Sequence, residues 1–177
     1  MANSNRTEAI VNHDDSHANN RLNWKRKNQY FHKQDLKYLS FLIPENSKIL
    51  DIGCGVGDTL ASLKPSKGLG IDISNNMIKE AKNLYPELHF INGDIEDKSF
   101  VDSISEKFDY ILLSDTIGSL EDCQATLNSL HKFCSRETRI IISYYSFLWS
   151  PLLKLSELLK LKMHQPEMNF LSTDDIN

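Results

Sequence analysis

A basic excess is the first thing this sequence lacks. Its 177 residues hold 20 Lys and Arg against 24 Asp and Glu, a net charge of −4. General nucleic-acid binders carry the opposite balance, which sets that class aside. Cysteine is scarce: Cys54, Cys123 and Cys134 are odd in number and lack zinc-like spacing, which excludes a disulfide framework or a structural zinc site. No apolar run reaches the roughly 18 residues of a membrane-spanning helix. No secretory leader pattern is read, so the expected setting is reducing and cytoplasmic. Glycine is sparse, seven in all, yet three of the seven fall between positions 53 and 57.

What is present reads as one soluble domain with a real core, 40% hydrophobic and 25% charged. Residues 1–20 are polar without an apolar period and are expected to be a disordered tail. His13 and His17 stand four apart, which on a helix suits a metal, but nothing apolar supports a helix there and no metal is expected. The basic cluster Arg21, Lys25, Arg26 and Lys27 reads as a solvated helix face or arm. The domain is expected to occupy 21–177, with N-terminal helices over 24–43, an α/β core over 47–145 and an amphipathic helix over 149–163. That last helix fits packing on the domain or a partner, a lid over an apolar substrate, or peripheral membrane contact at a lipid surface.

The core alternates. Strands are expected at Lys48–Ile52, Gly68–Ile73, Leu88–Ile91, Phe108–Leu113 and Arg139–Tyr145, each an apolar run bounded by turn residues. Helical spacing fills the gaps: Asp58–Leu63, then Met77, Ile78, Ala81 and Leu84 behind the N-cap Ser74, then Leu120 to Cys134. Alternation of this kind implies a doubly wound, Rossmann-like parallel sheet whose site lies at the carboxyl ends of the strands.

The chemistry gathers there. Asp51-x-Gly53-x-Gly55-x-Gly57, with Cys54 inside the loop, follows strand one. Glycine permits positive φ and, lacking Cβ, lets a ligand approach the backbone. The dinucleotide fingerprint Gly-x-Gly-x-x-Gly spaces its third glycine differently, and an acid before the loop favours a cation over phosphate. Asp72 ends strand two, where a carboxylate can accept from a ribose diol, and Ile73 offers an apolar surface to a base. Asp94 can accept from an exocyclic amine, and the Ile95 N–H can serve a ring nitrogen. Acids at three successive strand ends suit an adenosine with a cationic tail.

Residues 24–176 resemble a class I S-adenosylmethionine-dependent methyltransferase through Ile49–Leu60, Gly70–Ser74, Gly93–Glu96 and Phe108–Leu120. The resemblance implies that the glycine loop wraps the methionine part, Asp72 binds ribose, and Asp94 and Ile95 bind adenine. It places Ser114 and Asp115 on the methionine and substrate side, and Tyr30 and Phe31 on a closing helix. The helix-led layout with Tyr-Phe-His is also similar to methyltransferase domains found beside glycosyltransferases. Asp115 and His32 are the candidate bases for a hydroxyl acceptor.

Two departures stand out. The family's sheet adds a C-terminal antiparallel pair, which this sequence lacks; Ser172–Ile176 opens a helix where those strands would begin. Strand five would be a bare edge, completed by missing chain or open to pairing. The loop Ser114–Ile117 also lacks the Asn/Asp-Pro-Pro-aromatic motif of members acting on base amines. The expected function is methyl transfer to a small-molecule, saccharide or lipid-linked acceptor. A truncated or non-catalytic cofactor-binding domain and, further off, an NAD-dependent oxidoreductase are the alternatives.

Overall fold

The computed structural model describes residues 5–18, 21, 25 and 28–144. The elements are α1 (Asn5–His17), α2 (Gln29–Leu42), β1 (Lys48–Ile52), α3 (Asp58–Ser62), β2 (Lys67–Asp72), α4 (Asn75–Leu84), β3 (His89–Asn92), α5 (Lys98–Ser103), β4 (Phe108–Ser114), α6 (Cys123–Ser129) and β5 (Cys134–Ser143). Short 3₁₀ turns at Ile117–Ser119 and Leu130–Phe133 flank α6. The five strands form one parallel sheet in the order β3-β2-β1-β4-β5. The order reverses at β1, which opens a crevice at its carboxyl end between β2 and β4.

Central β1 is buried along Ile49–Ile52 because helices cover both sheet faces. Alternation splits its side chains. Leu50 and Ile52 join Leu69, Ile71, Ile111, Leu113, Leu130 and Phe133 on one face. Ile49 joins Leu39, Ile43, Leu60, Ile78, Ala81, Phe90 and Leu112 on the other. The Ser74 hydroxyl accepts from the Met77 N–H and so caps α4, as its spacing predicts.

Four readings need correction. The tail expected to be disordered is helical over Asn5–His17 and packs on the body, with Ala18 3% exposed beside Val56 and Met77. Its fixings are polar and distant in sequence: Arg6 Nη2 donates to the Gly118 carbonyl and Thr7 to Glu121. At the other end, Asp15 accepts from the Ser74 hydroxyl and the Asn76 N–H. The helix read through Cys134 ends earlier, because a 3₁₀ turn buries both Leu130 and Phe133, and β5 already begins at Cys134. Helix α5 has no counterpart in the sequence reading; its N-cap Asp97 accepts from the Ser99 N–H. The basic cluster is not simply solvated, since Lys25 Nζ pairs with both Asp58 oxygens at 2.7 and 2.8 Å.

The expected amphipathic helix 149–163, Tyr145 and the Ser172 helix start lie outside the described residues. Among the described residues, no helix is long and apolar enough to cross a membrane.

Candidate functional site

The end of β1 continues straight into a tight turn. Gly53 and Cys54 donate to the Ile71 carbonyl at 2.8 and 3.0 Å, so pairing with β2 extends past the strand. Gly53, Gly55 and Gly57 then adopt φ of +73°, +54° and +79°. These glycines differ in purpose. A Cβ at Gly57 would meet the Phe90 ring at 2.5 Å, so that glycine serves packing between α3 and the sheet. A Cβ at Gly55 would have nothing within 4 Å and would stand in open space beside the cavity that Gly55 lines.

Asp72 is the hinge of the site. The Gly55 N–H donates to Oδ2 at 2.8 Å and the Ser74 N–H to Oδ1 at 2.9 Å. Each oxygen keeps acceptor capacity for a further donor. Burial raises its pKa to about 6, against the pull of those two N–H groups. Asp94 lies in the loop after β3. The Glu96 N–H donates to its Oδ1 at 2.8 Å, and burial raises its pKa too. Glu96 reaches across to the segment after β4, where its carboxylate accepts from the Glu121 and Asp122 N–H groups. The loops after β3 and β4 are thereby joined at the rim.

Beyond β4, Asp115 sits at φ +56°, a conformation costly for a residue with a Cβ. Its N–H donates to the Ser143 carbonyl at 2.9 Å, and the Ser114 and Ser143 hydroxyls meet at 3.1 Å. Thr116 donates to the Ile52 carbonyl at 2.9 Å and fills the space a Cβ on Gly53 would need.

One cavity at the strand ends is lined by Gly53, Gly55, Asp72, Ile73, Asp94, Ile95, Ser114 and Asp115. Those eight expected site residues converge. Four do not line it. Asp51 is 2% exposed behind the loop, its pKa raised to about 7 by burial, which Lys25 opposes and Asp58 and Asp72 reinforce. The Cys54 thiol is buried, with its pKa pushed well up by burial, and fills core beside Gly70. Gly57 serves packing. Tyr30 is 79% exposed on α2 and does not line the cavity. His32 lies elsewhere as well, in a separate cavity with Lys25, Asp35 and Asp58, its pKa lowered chiefly by burial. It is withdrawn as a base for this site.

The sequence reading missed the roof. Thr7, Ile10, His13 and Asp14 of α1 line the cavity, and so does Arg21. The four-residue spacing of His13 and His17 was the available signal, for the two rings stack at 4.4 Å on the helix.

The glycine loop is tied to the acid that ends β2, and Asp94 of the loop after β3 lines the same cavity. A methyltransferase-domain family model matches residues 43–174. The chain belongs to this family. Demethylmenaquinone methyltransferase of Staphylococcus saprophyticus is 30% identical over 98 residues, 51% of this chain and 41% of that protein. The chain thus spans less than half the length of that curated relative. An S-adenosylmethionine-dependent methyltransferase of Thermotoga maritima superposes with TM-score 0.73 at 20% identity, covering 94% of this chain and 76% of that one. Magnesium protoporphyrin IX methyltransferase of Synechocystis, solved with S-adenosylmethionine bound, gives 0.69 at 17% identity, covering 99% and 84%. The methyltransferase domain thus has its expected Rossmann-like fold.

Proposed function

We propose that the chain transfers a methyl group from S-adenosylmethionine to a small-molecule acceptor. The observation that carries this is Asp72, held on both oxygens by backbone N–H groups at the lip of the glycine loop, with Asp94 in the same cavity. The donor set fits the group. Asp72 receives the ribose diol, Asp94 and the Ile95 N–H receive adenine, and the bare Gly55 backbone lets the ligand close on the loop. When bound, the cofactor supplies a methyl activated by its sulfonium. The carboxylates around the cavity stabilise that cation, and placement contributes most of the remaining acceleration.

Ser114 and Asp115 flank the methionine and acceptor side. Where the acceptor is a hydroxyl, Asp115 is the carboxylate placed to take its proton. Acceptors named for the relatives, demethylmenaquinone and magnesium protoporphyrin IX, are small molecules, which supports that class over nucleic acid. Saccharide and lipid-linked acceptors belong to the same proposal. Cys54, Cys123 and Cys134 are free thiols, in keeping with a reducing, cytoplasmic setting. β5 is the last strand of the described sheet, with Ile140 exposed, and strand addition there is the pairing mode we assign to a protein partner.

The test is methyl transfer. The chain is incubated with methyl-labelled S-adenosylmethionine and panels of quinols, porphyrins and saccharides. Label should enter one small-molecule panel and be lost with Asp72→Ala. Cofactor binding with no label in any panel would favour a domain that binds without turnover.

A further inference from the structure

Among the described residues five large hydrophobic side chains are exposed, and the three most exposed stand on one helix. They are Tyr30 at 79%, Tyr38 at 63% and Phe41 at 83%, all on α2. Scattered singly, such side chains need no explanation; gathered on one element, they mark a surface of interaction.

Helical phase makes these three one patch. At about 100° per residue, Phe41 stands about 20° and Tyr38 about 80° around the axis from Tyr30. Buried Leu39 stands about 180° away, and with Ile43 it fixes α2 to the core through the opposite face. At about 1.5 Å of rise per residue the stripe runs about 17 Å along the helix. Lys37 and Lys33, both exposed, lie about 20° and 60° to its other side. Asp35, the one acid of α2, turns from the stripe and lines the cavity that holds His32. The face thus joins aromatic rings to two cations, with no carboxylate of the helix among them.

Those charges and that area choose the occupant. A second copy packed on the same face would set Lys33 and Lys37 of both chains against one another, with no acid of either helix to answer them. The three rings offer roughly 300–600 Å², where a stable protein interface takes about 800 Å² from each partner. An anionic lipid surface fits both facts. Phe41 suits the acyl boundary, the tyrosine hydroxyls suit the headgroup level, and the lysines meet lipid phosphates.

We infer that the exposed face of α2 docks the domain on an anionic lipid surface. The stripe shares no residue with the strand-end cavity, so docking does not depend on what that cavity takes. It brings the domain to the surface where a lipid-linked acceptor is carried.

The full chain is sedimented with vesicles of phosphatidylcholine alone or mixed with phosphatidylglycerol. Three paired variants are compared, each with melting curves and sedimentation velocity. They are Tyr30→Ser with Phe41→Ser, Lys33→Gln with Lys37→Gln, and, as a charge control on exposed positions of α4, Lys79→Gln with Lys82→Gln. The wild-type chain should partition onto the mixed vesicles and come off as salt rises. Each α2 pair should weaken that partition about 10- to 30-fold, and the α4 pair should leave it within about twofold. No preference of the wild-type chain for mixed vesicles, binding kept by either α2 pair, or equal weakening by the α4 pair overturns the inference. A wild-type dimer dissolved by Tyr30→Ser with Phe41→Ser would assign the face to a second copy. A sharp fall in melting temperature of that variant would mean the stripe is covered by the chain itself. Either result overturns lipid docking.

Discussion

Asp72 and Gly55 are tied by a 2.8 Å hydrogen bond from the loop N–H to the carboxylate. The acid expected to hold a ribose is therefore also the group that fixes the loop. Removing it does two kinds of damage. Asp72→Ala leaves the half-buried Gly55 and buried Ser74 N–H groups without their acceptors, at about 1–3 kcal/mol of stability, and abolishes measurable cofactor binding. Asp72→Asn keeps the shape but offers one carbonyl oxygen where two oxygens serve two N–H groups. Its stability should fall between wild type and Asp72→Ala. Melting curves and calorimetric titration of the three chains check both statements.

The glycines of one loop should respond differently to the same change. Gly57→Ala forces a Cβ at φ +79° into the Phe90 ring. Backbone strain and overpacking together cost about 2–4 kcal/mol, seen as a lowered melting temperature. Gly55→Ala meets no neighbour, so its cost is the smaller backbone term of about 1–2 kcal/mol. Its methyl stands where the ligand must come, and cofactor affinity should drop far more than stability. Equal loss of affinity and stability at Gly55 would contradict the open-cradle reading.

Asp51 and Asp72 set a pH dependence whose sign follows from burial. Their folded pKa values are about 7 and about 6, both above the usual 3.8. Between about pH 4 and 7 the folded chain holds more protons than the unfolded one, so these groups make stability fall as pH rises. The loss starts near the unfolded value and is complete above about pH 7. Asp51→Asn removes one contributor. Its melting temperature relative to wild type should climb from about pH 4 to 7 and then level off. Cofactor affinity should move the other way, rising from about pH 5 to 7 as Asp72 ionises. A flat difference in melting temperature would rule out Asp51 as a buried acid with a raised pKa.

The roof of the cavity hangs from a carboxylate at a helix start. Asp15 accepts from the Asn76 N–H at 3.1 Å, in the first turn of α4, where the helix dipole favours an anion. Asp15→Ala should release that end of α1. The expected result is faster cofactor dissociation in stopped-flow, with a modest change in melting temperature because the sheet core is untouched.

Strand runs and the cavity-lining acids Asp72 and Asp94 were legible because each carries its own local mark: an apolar run, a turn residue, a fixed offset. Helix α1 carried only the four-residue spacing of His13 and His17. Only Ile10 of its apolar residues reaches the cavity, and its ties run to Ser74, Asn76, Gly118 and Glu121. Polar contacts that distant leave no period in the sequence. Tyr30 shows the converse. It stands nine residues before buried Leu39, about two and a half turns of helix, which puts it on the opposite face. Helical phase excluded it from the site; its aromatic neighbours suggested otherwise. Cys54 and Asp51 lie within the motif yet are buried at 6% and 2% exposure and do not line the cavity, a difference of depth that motif spacing does not encode.

Everything above turns on which nucleoside the loop accepts. Calorimetric titration of the chain with S-adenosylmethionine, and separately with NAD, addresses this directly. One-to-one binding of S-adenosylmethionine, absent for NAD and lost in Asp72→Ala, is the expected result. A folded chain that binds NAD in preference, or that takes up no S-adenosylmethionine, would contradict the assignment of this cavity.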